Sequence, residues 1–201
     1  MPTESRRTAR AVLASLRPRQ WTKNLILLAG VIFARQLADP ACLVRAVAAF
    51  AVFCLASGAV YVLNDIVDLE QDRLHPDKRR RPIAAGLLPV ATARRAAFAI
   101  AAAALLAAAF LGWPFLLALA AFVAWNAVYS RALKHVAIAD VAGIGVSFVL
   151  RATAGWAVLL PAAPAVRLSP WLLVCPFCLS LFLGFGKRRH ELLAMAGEGP
   201  A

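Results

Sequence analysis

The sequence predicts an all-α, polytopic transmembrane helix bundle, and three observations predict it. Of its 201 residues 62% are apolar, and the mean hydropathy is +0.74, more hydrophobic surface than a soluble domain of this length buries in one core. The apolar residues gather into segments long enough for a helix to cross about 30 Å of hydrocarbon at about 1.5 Å per residue. Basic residues fall between those segments in alternate connections, the pattern that orients membrane helices.

Six segments follow in order, at 19–37, 42–64, 91–112, 114–131, 137–160 and 169–187. The first has a short apolar run, Leu25 to Ala34, and spans only with Trp21 as an interfacial anchor and Lys23 snorkelling to the surface. Arg6, Arg7 and Arg10 form too long a basic region for a cleaved leader, and no small-x-small site follows, so this segment reads as mature protein. Segments two to five are rich in Ala and Gly, which lets helices pack closely. Before segment six the chain turns through Pro161, Pro164 and Pro170. Residues 1–201 read as a single transmembrane domain.

With the N-terminus in the cytoplasm, 18 of the 22 Lys and Arg fall on that side; Arg35, Arg45 and Arg167 lie outside, and Arg151 lies within a span. This predicts a plasma (inner) membrane protein whose N-terminus and charged loops are cytoplasmic. A net charge of +12 would suggest nucleic acid in a soluble protein, but these basic residues punctuate apolar runs and form no continuous face. Membrane lipids with anionic headgroups and phosphorylated substrates are the expected partners, and nucleic acid is not. Cys175 and Cys178 form a C-x-x-C with apolar neighbours and no second pair, a poor redox or zinc site.

The most specific local signal is Asn64-Asp65-Ile66-Val67-Asp68-Leu69-Glu70-Gln71-Asp72 at the inner end of segment two. At about 100° per residue, Asp65, Asp68 and Asp72 share about 60° of helical arc, and Asn64 extends the same face. Three carboxylates on one stripe repel unless a cation sits among them or water screens them. Their hard oxygens suit Mg²⁺, which is commonly shared with substrate phosphates. The plainer reading is a solvated acidic cap, although carboxylates at a helix C-terminus oppose its dipole.

The loop that follows places cations beside these acids, Lys78 and Arg81 among them; orienting charge explains part of it. Arg81-Pro82 with Gly86 nearby predicts a defined turn. A second polar stretch runs from Tyr129 through Lys134 to Asp140. From there Asp140, Gly143, Ser147 and Arg151 share about 80° of helical arc and are expected to line a cavity. A charge at Arg151 is costly in a span, which marks it as a functional candidate, with snorkelling to the outer surface as the alternative. Segment six ends in Lys187, Arg188 and Glu191, either a simple helical ion pair between Lys187 and Glu191 or the completion of a phosphate site.

These residues resemble the UbiA superfamily of membrane prenyltransferases, whose N-D-x-x-D-x-x-x-D helix end Asn64, Asp65, Asp68 and Asp72 match in full. Within it, the segments Arg17–Asn24, His75–Pro82, Tyr129-Ser130 with Lys134 and Asp140, and Gly186–Glu191 resemble the decaprenyl-phosphate phosphoribosyltransferase branch of cell-wall synthesis. The resemblance implies a helical bundle that transfers 5-phosphoribose from phosphoribosyl diphosphate to a polyprenyl phosphate, with Mg²⁺ required and diphosphate released. It implies that Asp65, Asp68 and Asp72 hold the metal, with Lys134 and Asp140 as further catalytic groups and Asp140 as a positioning group and not a base. Substrate contacts would come from Lys23, Asn64, Lys78, Arg81, Tyr129, Arg151, Lys187, Arg188 and Glu191. The family fold has nine spans where this sequence has about six, so the bundle is expected to be a fragment or to be completed by another chain or a second copy. Two other readings stand beside this one: prenyl transfer to an aromatic acceptor, and a truncated, non-catalytic membrane subunit.

Overall fold

The computed structural model describes residues 4–133 and 136–195, and all its regular elements are helical. Helix α1 (Glu4–Ser15) leads into a 3₁₀ segment, Pro18–Leu25, and then α2 (Ile26–Phe33). The long helix α3 (Pro40–Val67) is followed by the short α4 (Leu69–Leu74) and a 3₁₀ turn at Lys78–Arg80. Then come α5 (Val90–Leu111), α6 (Trp113–Val128) with a π turn at Tyr129–Leu133, α7 (Ala137–Ala157) and α8 (Pro170–Met195).

Among the described residues, five helices are long and apolar enough to cross a membrane: α3, α5, α6 with its π turn, α7 from Ile138, and α8 to His190. The first expected segment departs from a single continuous helix. Arg17 adopts a left-handed backbone (φ +53°) and Pro18 follows, which starts a 3₁₀ segment; Arg35, also at positive φ, ends the stretch soon after the eight-residue α2.

Local chemistry sets the other boundaries. Asp39 Oδ1 accepts from the backbone N–H of Ala41 at 2.8 Å and of Cys42 at 3.3 Å, with Pro40 in the first helical position, a strong N-terminus. Pro114 and Pro170 likewise lie in the first turns of α6 and α8. At the far ends of α5 and α7, carbonyl groups without helical partners are met by one side chain: Arg45 donates from Nε to Val158 O at 2.8 Å and from Nη2 to Leu111 O. One guanidinium from α3 thus satisfies the C-terminal carbonyls of two other helices.

Helix α3 packs against α5, α2 and α6, while α7 packs against α8, α2 and α6. Their shared core includes Leu27, Phe53, Phe115, Leu119, Phe122 and Val158, interleaved with buried alanines of α3, α5 and α7. The backbones of α2 and α7 approach closely. A Cβ on Gly30 would stand 2.4 Å from the carbonyl carbon of Gly155, and one on Gly155 would stand 2.1 Å from Leu27 O, so both positions require glycine.

A second cluster, Leu16, Val62, Ile83, Leu88, Ala93 and Ala97, lies at the basic end of the bundle. It ties the basic loop to α3 and α5. Ile83 and Leu88 are buried, Gly86 has φ +75°, and Leu88 N–H donates to Pro82 O at 3.0 Å. The expected turn after Arg81 is present, anchored by two apolar side chains.

Candidate active site

Helix α3 runs three residues beyond the expected end of segment two and so carries Asn64 and Asp65 in regular helix. The dihedrals break only at Asp68 (φ −92°, ψ 8°). Even there, Asp68 N–H donates to Asn64 O at 2.9 Å and Asp72 N–H to Asp68 O at 2.8 Å. The helical phase therefore passes into α4, which keeps the acidic residues on one side.

Asp65 and Asp72 point inward and are almost fully buried, while Asp68 is half-buried. Arginines meet the two buried carboxylates. Arg17 donates to Asp65 Oδ1, and Arg81 Nη1 donates both to Asp65 Oδ1 at 3.1 Å and to Asp72 Oδ2. The cation that such a stripe demands is supplied by two guanidinium groups. The donor set, all hard oxygen, suits Mg²⁺ chemically. Yet among the described residues no three His, Cys, Asp or Glu groups stand together as a ready metal cluster, because Asp65 and Asp72 are turned to the arginines.

Asn64 accepts a hydrogen bond from Ser130 Oγ in the π turn. Tyr129, the preceding residue, donates to Asp140 Oδ1, and Arg188 Nη2 donates to Asp140 Oδ2 at 3.1 Å. Gly143 permits this arrangement: a Cβ there would stand 2.6 Å from Tyr129 Cδ2. Tyr129, Asp140 and Arg188 are thus drawn together from the π turn, α7 and α8.

The second charged group centres on Lys23. Its ammonium is held below the ordinary lysine range, first by desolvation against the bundle and then by the nearby cations of Arg151, Arg17 and Lys187. Arg17 is at the same time paired with Asp65, and an anion bound at Lys23 would feel the same neighbouring cations as an attraction.

Arg151 does not line an open cavity, nor does it reach the outer surface. It is 5% exposed, and its Nε donates to Asn24 Oδ1 and its Nη1 to Ser147 O, each at 2.9 Å. Its guanidinium lies 4.6 Å from the ring centre of Phe122 and 5.4 Å from that of Phe148. Asn24 in turn donates to Ser57 Oγ at 3.0 Å and to Cys54 Sγ at 3.3 Å. Polar and aromatic groups packed between the helices surround this charge.

Lys78 stands exposed beside Arg79 and Arg80, outside the cluster around the acids. Lys134 lies outside the described residues, and Glu191 belongs to α8 but its side chain is also outside the description. Sequence reasoning assigned no role to Arg17, Ser130, Asn24 or Ser57. The αL-prone break before Pro18 was the available signal for the first; polar residues facing one another across segments one and two were the signal for the last two.

Between α2, α7 and α8 runs an apolar groove of about 300 Å³, lined by Ile26, Phe33, Phe148, Trp171, Leu179 and Leu183 among others. Ile26 follows Lys23 by three residues and Leu183 precedes Lys187 by four, so one helical turn separates this end of the groove from the cations.

The helices and this site define a multi-pass α-helical membrane protein with most of its charged residues gathered at one end of the bundle. Residues 24–189 match the UbiA prenyltransferase family, and the chain belongs to it. A decaprenyl-phosphate phosphoribosyltransferase of Mycolicibacterium smegmatis is 38% identical over 187 residues, covering 90% of this chain and 57% of the relative. A protein of the same name from Mycobacterium tuberculosis is 36% identical over 194 residues, covering 94% of this chain and 63% of the relative. The chain thus spans about six-tenths of these relatives' length. In fold it is similar to a UbiA homologue of Archaeoglobus fulgidus solved with GPP and Mg²⁺, with a TM-score of 0.70 at 22% identity, over 94% of this chain and 67% of that one.

Proposed function

We propose that the chain carries the site for transfer of 5-phosphoribose from phosphoribosyl diphosphate to a polyprenyl, here decaprenyl, phosphate, with release of diphosphate. In this reading the basic end faces the cytoplasm at the plasma membrane, and the product feeds cell-wall arabinan synthesis. The observation that carries the reading is the placing of two charged groups at one end of the bundle: an acidic stripe on α3 and α4, and a cation cluster around Lys23. The names of the relatives support the choice of substrates.

Mg²⁺ held by Asp65, Asp68 and Asp72 would neutralise charge on the donor's diphosphate. The protein's own groups do the rest. Breaking the C1–O bond of the donor builds positive charge on ribose and negative charge on the leaving group, and Arg81, Arg188 and Lys187 offset the latter. Lys23, with Arg151 behind it, would hold the acceptor phosphate, and the groove between α2 and α8 would take its isoprenoid tail. That phosphate is already an anion, so no strong base is needed; Tyr129 and Arg188 fix Asp140 as a positioning group. Alignment and exclusion of water remain the main demands.

The test uses nanodiscs containing the chain, labelled phosphoribosyl diphosphate, decaprenyl phosphate and Mg²⁺. Labelled lipid is expected, and Asp68→Ala should reduce it by at least about 100-fold, the scale of losing one transition-state contact. Transfer only from a prenyl diphosphate to an aromatic acceptor would establish the other enzymatic reading. No transfer with either substrate pair, from the chain alone or with a completing partner, would establish a non-catalytic subunit.

A further inference from the structure

Four side chains at the acidic stripe form an alternating set: Arg17, Asp65, Arg81, Asp72. The carboxylates are 3% and 2% exposed and the guanidinium groups 27% each, so the arginines stand between the acids and the outside. Arg17 reaches its place from a left-handed backbone, and its guanidinium lies 5.3 Å from the Tyr61 ring centre. A side chain held in that way from a separate segment is positioned for a task, since φ +53° is unfavourable for a residue with a Cβ.

The two pairs cancel: two carboxylates, two guanidinium groups. A divalent cation arriving alone gains little from oxygens already bonded to arginine, and the incoming charge is repelled by both guanidinium groups. A diphosphate changes this balance, because it offers guanidinium groups an anion of the same bidentate geometry as the carboxylates they leave. Resting on the reading above, we propose that Arg17 and Arg81 are exchangeable internal counter-cations: they cover Asp65 and Asp72 until a metal–diphosphate complex arrives, then pass to the diphosphate as the acids pass to the metal. Metal and diphosphate then bind together strongly and metal alone weakly, which keeps the buried acids from holding a metal ion without substrate.

Mn²⁺ binding read by electron paramagnetic resonance tests this in nanodiscs, at fixed free Mn²⁺, with and without inorganic diphosphate. The wild-type chain is expected to bind Mn²⁺ at least about tenfold more tightly with diphosphate than without it. Arg17→Gln and Arg81→Gln should each tighten binding of Mn²⁺ alone severalfold and shrink the enhancement by diphosphate; Arg94→Gln, exposed at the start of α5, should alter neither. Arg17→Lys, which keeps the charge without the fork, should fall between wild type and Arg17→Gln. Far-UV helicity verifies the fold, and if Arg81→Gln loses it, the Arg17 pair decides. Arginine variants that bind Mn²⁺ alone no more tightly than wild type overturn the exchange and leave the metal site standing. No Mn²⁺ bound by any variant, even with diphosphate, overturns the metal reading and the exchange with it.

Discussion

At position 151 a guanidinium is buried within a membrane helix, and its bonds run to the neutral oxygens of Asn24 and Ser147. It holds Asn24, the residue after Lys23, and so fixes the start of α2 against α7. Arg151→Lys keeps the charge but loses the fork and the flat face over Phe122; the expectation is weaker phosphate binding at Lys23 with helicity retained, measured by calorimetry. Lys23 itself gives a pH prediction. Its depressed pKa means that in the alkaline range below the ordinary lysine value the free protein is partly neutral there, and a bound phosphate restores the charge. Anion binding should then take up a proton, and affinity should fall as pH rises through the depressed pKa. Calorimetry in buffers of different ionisation enthalpy reads this uptake, and Lys23→Met should abolish it. Lys23, Arg151, Asp65 and Asp72 stood out in the sequence, because charge beside apolar runs is conspicuous, but Arg151 is packed between helices and not along the expected cavity. Arg17 did not stand out, since one arginine in a basic terminus resembles its neighbours until folding pairs it with Asp65.

Among the elements, the helices were legible from hydrophobic length, to within a few residues for α3, α5, α6 and α7. The first segment was harder, because its composition does not show that positive φ at Arg17 and Arg35 bounds it or that it divides into a 3₁₀ segment and the eight-residue α2. The packing of α2 on α7 depends on Gly30 and Gly155, whose backbones touch. Gly155→Ala should destabilise the bundle by about 1–3 kcal/mol or more, as overpacking does, seen as a lower temperature of aggregation in detergent. Arg45→Met should cost about 1–3 kcal/mol by leaving the carbonyls of Leu111 and Val158 unpaired, with no change in phosphate affinity, because it lies at the other end of the bundle. That second readout separates Arg45 from Arg151.

For the molecule as a whole, the asymmetry of charge predicts orientation. A cysteine placed at Arg167 in a chain otherwise free of cysteine should react with an impermeant thiol reagent in intact cells, and one at Arg79 should react only after lysis. The opposite pattern would put the basic end outside. The sequence showed this polarity but not the contacts that assemble the site, because those pairs lie as far apart as Asn64 and Ser130, or Asp140 and Arg188. Such pairings exist only once helices distant in the chain lie side by side.

The π turn at Tyr129–Leu133 follows an α-helix whose Trp125 donates to Gly143 O, and the turn itself sends Ser130 to Asn64 and Tyr129 to Asp140. A wide turn accommodates one more residue than the ordinary spiral, and here it aims two adjacent side chains at two separate partners, while Trp125 holds the helix before it. Relatives could exchange any one of these side chains and keep the others aligned. Deleting a single residue between Trp125 and Ser130 would instead rotate Ser130 by about 100° relative to Trp125, so this short stretch should tolerate substitution far better than a change of length.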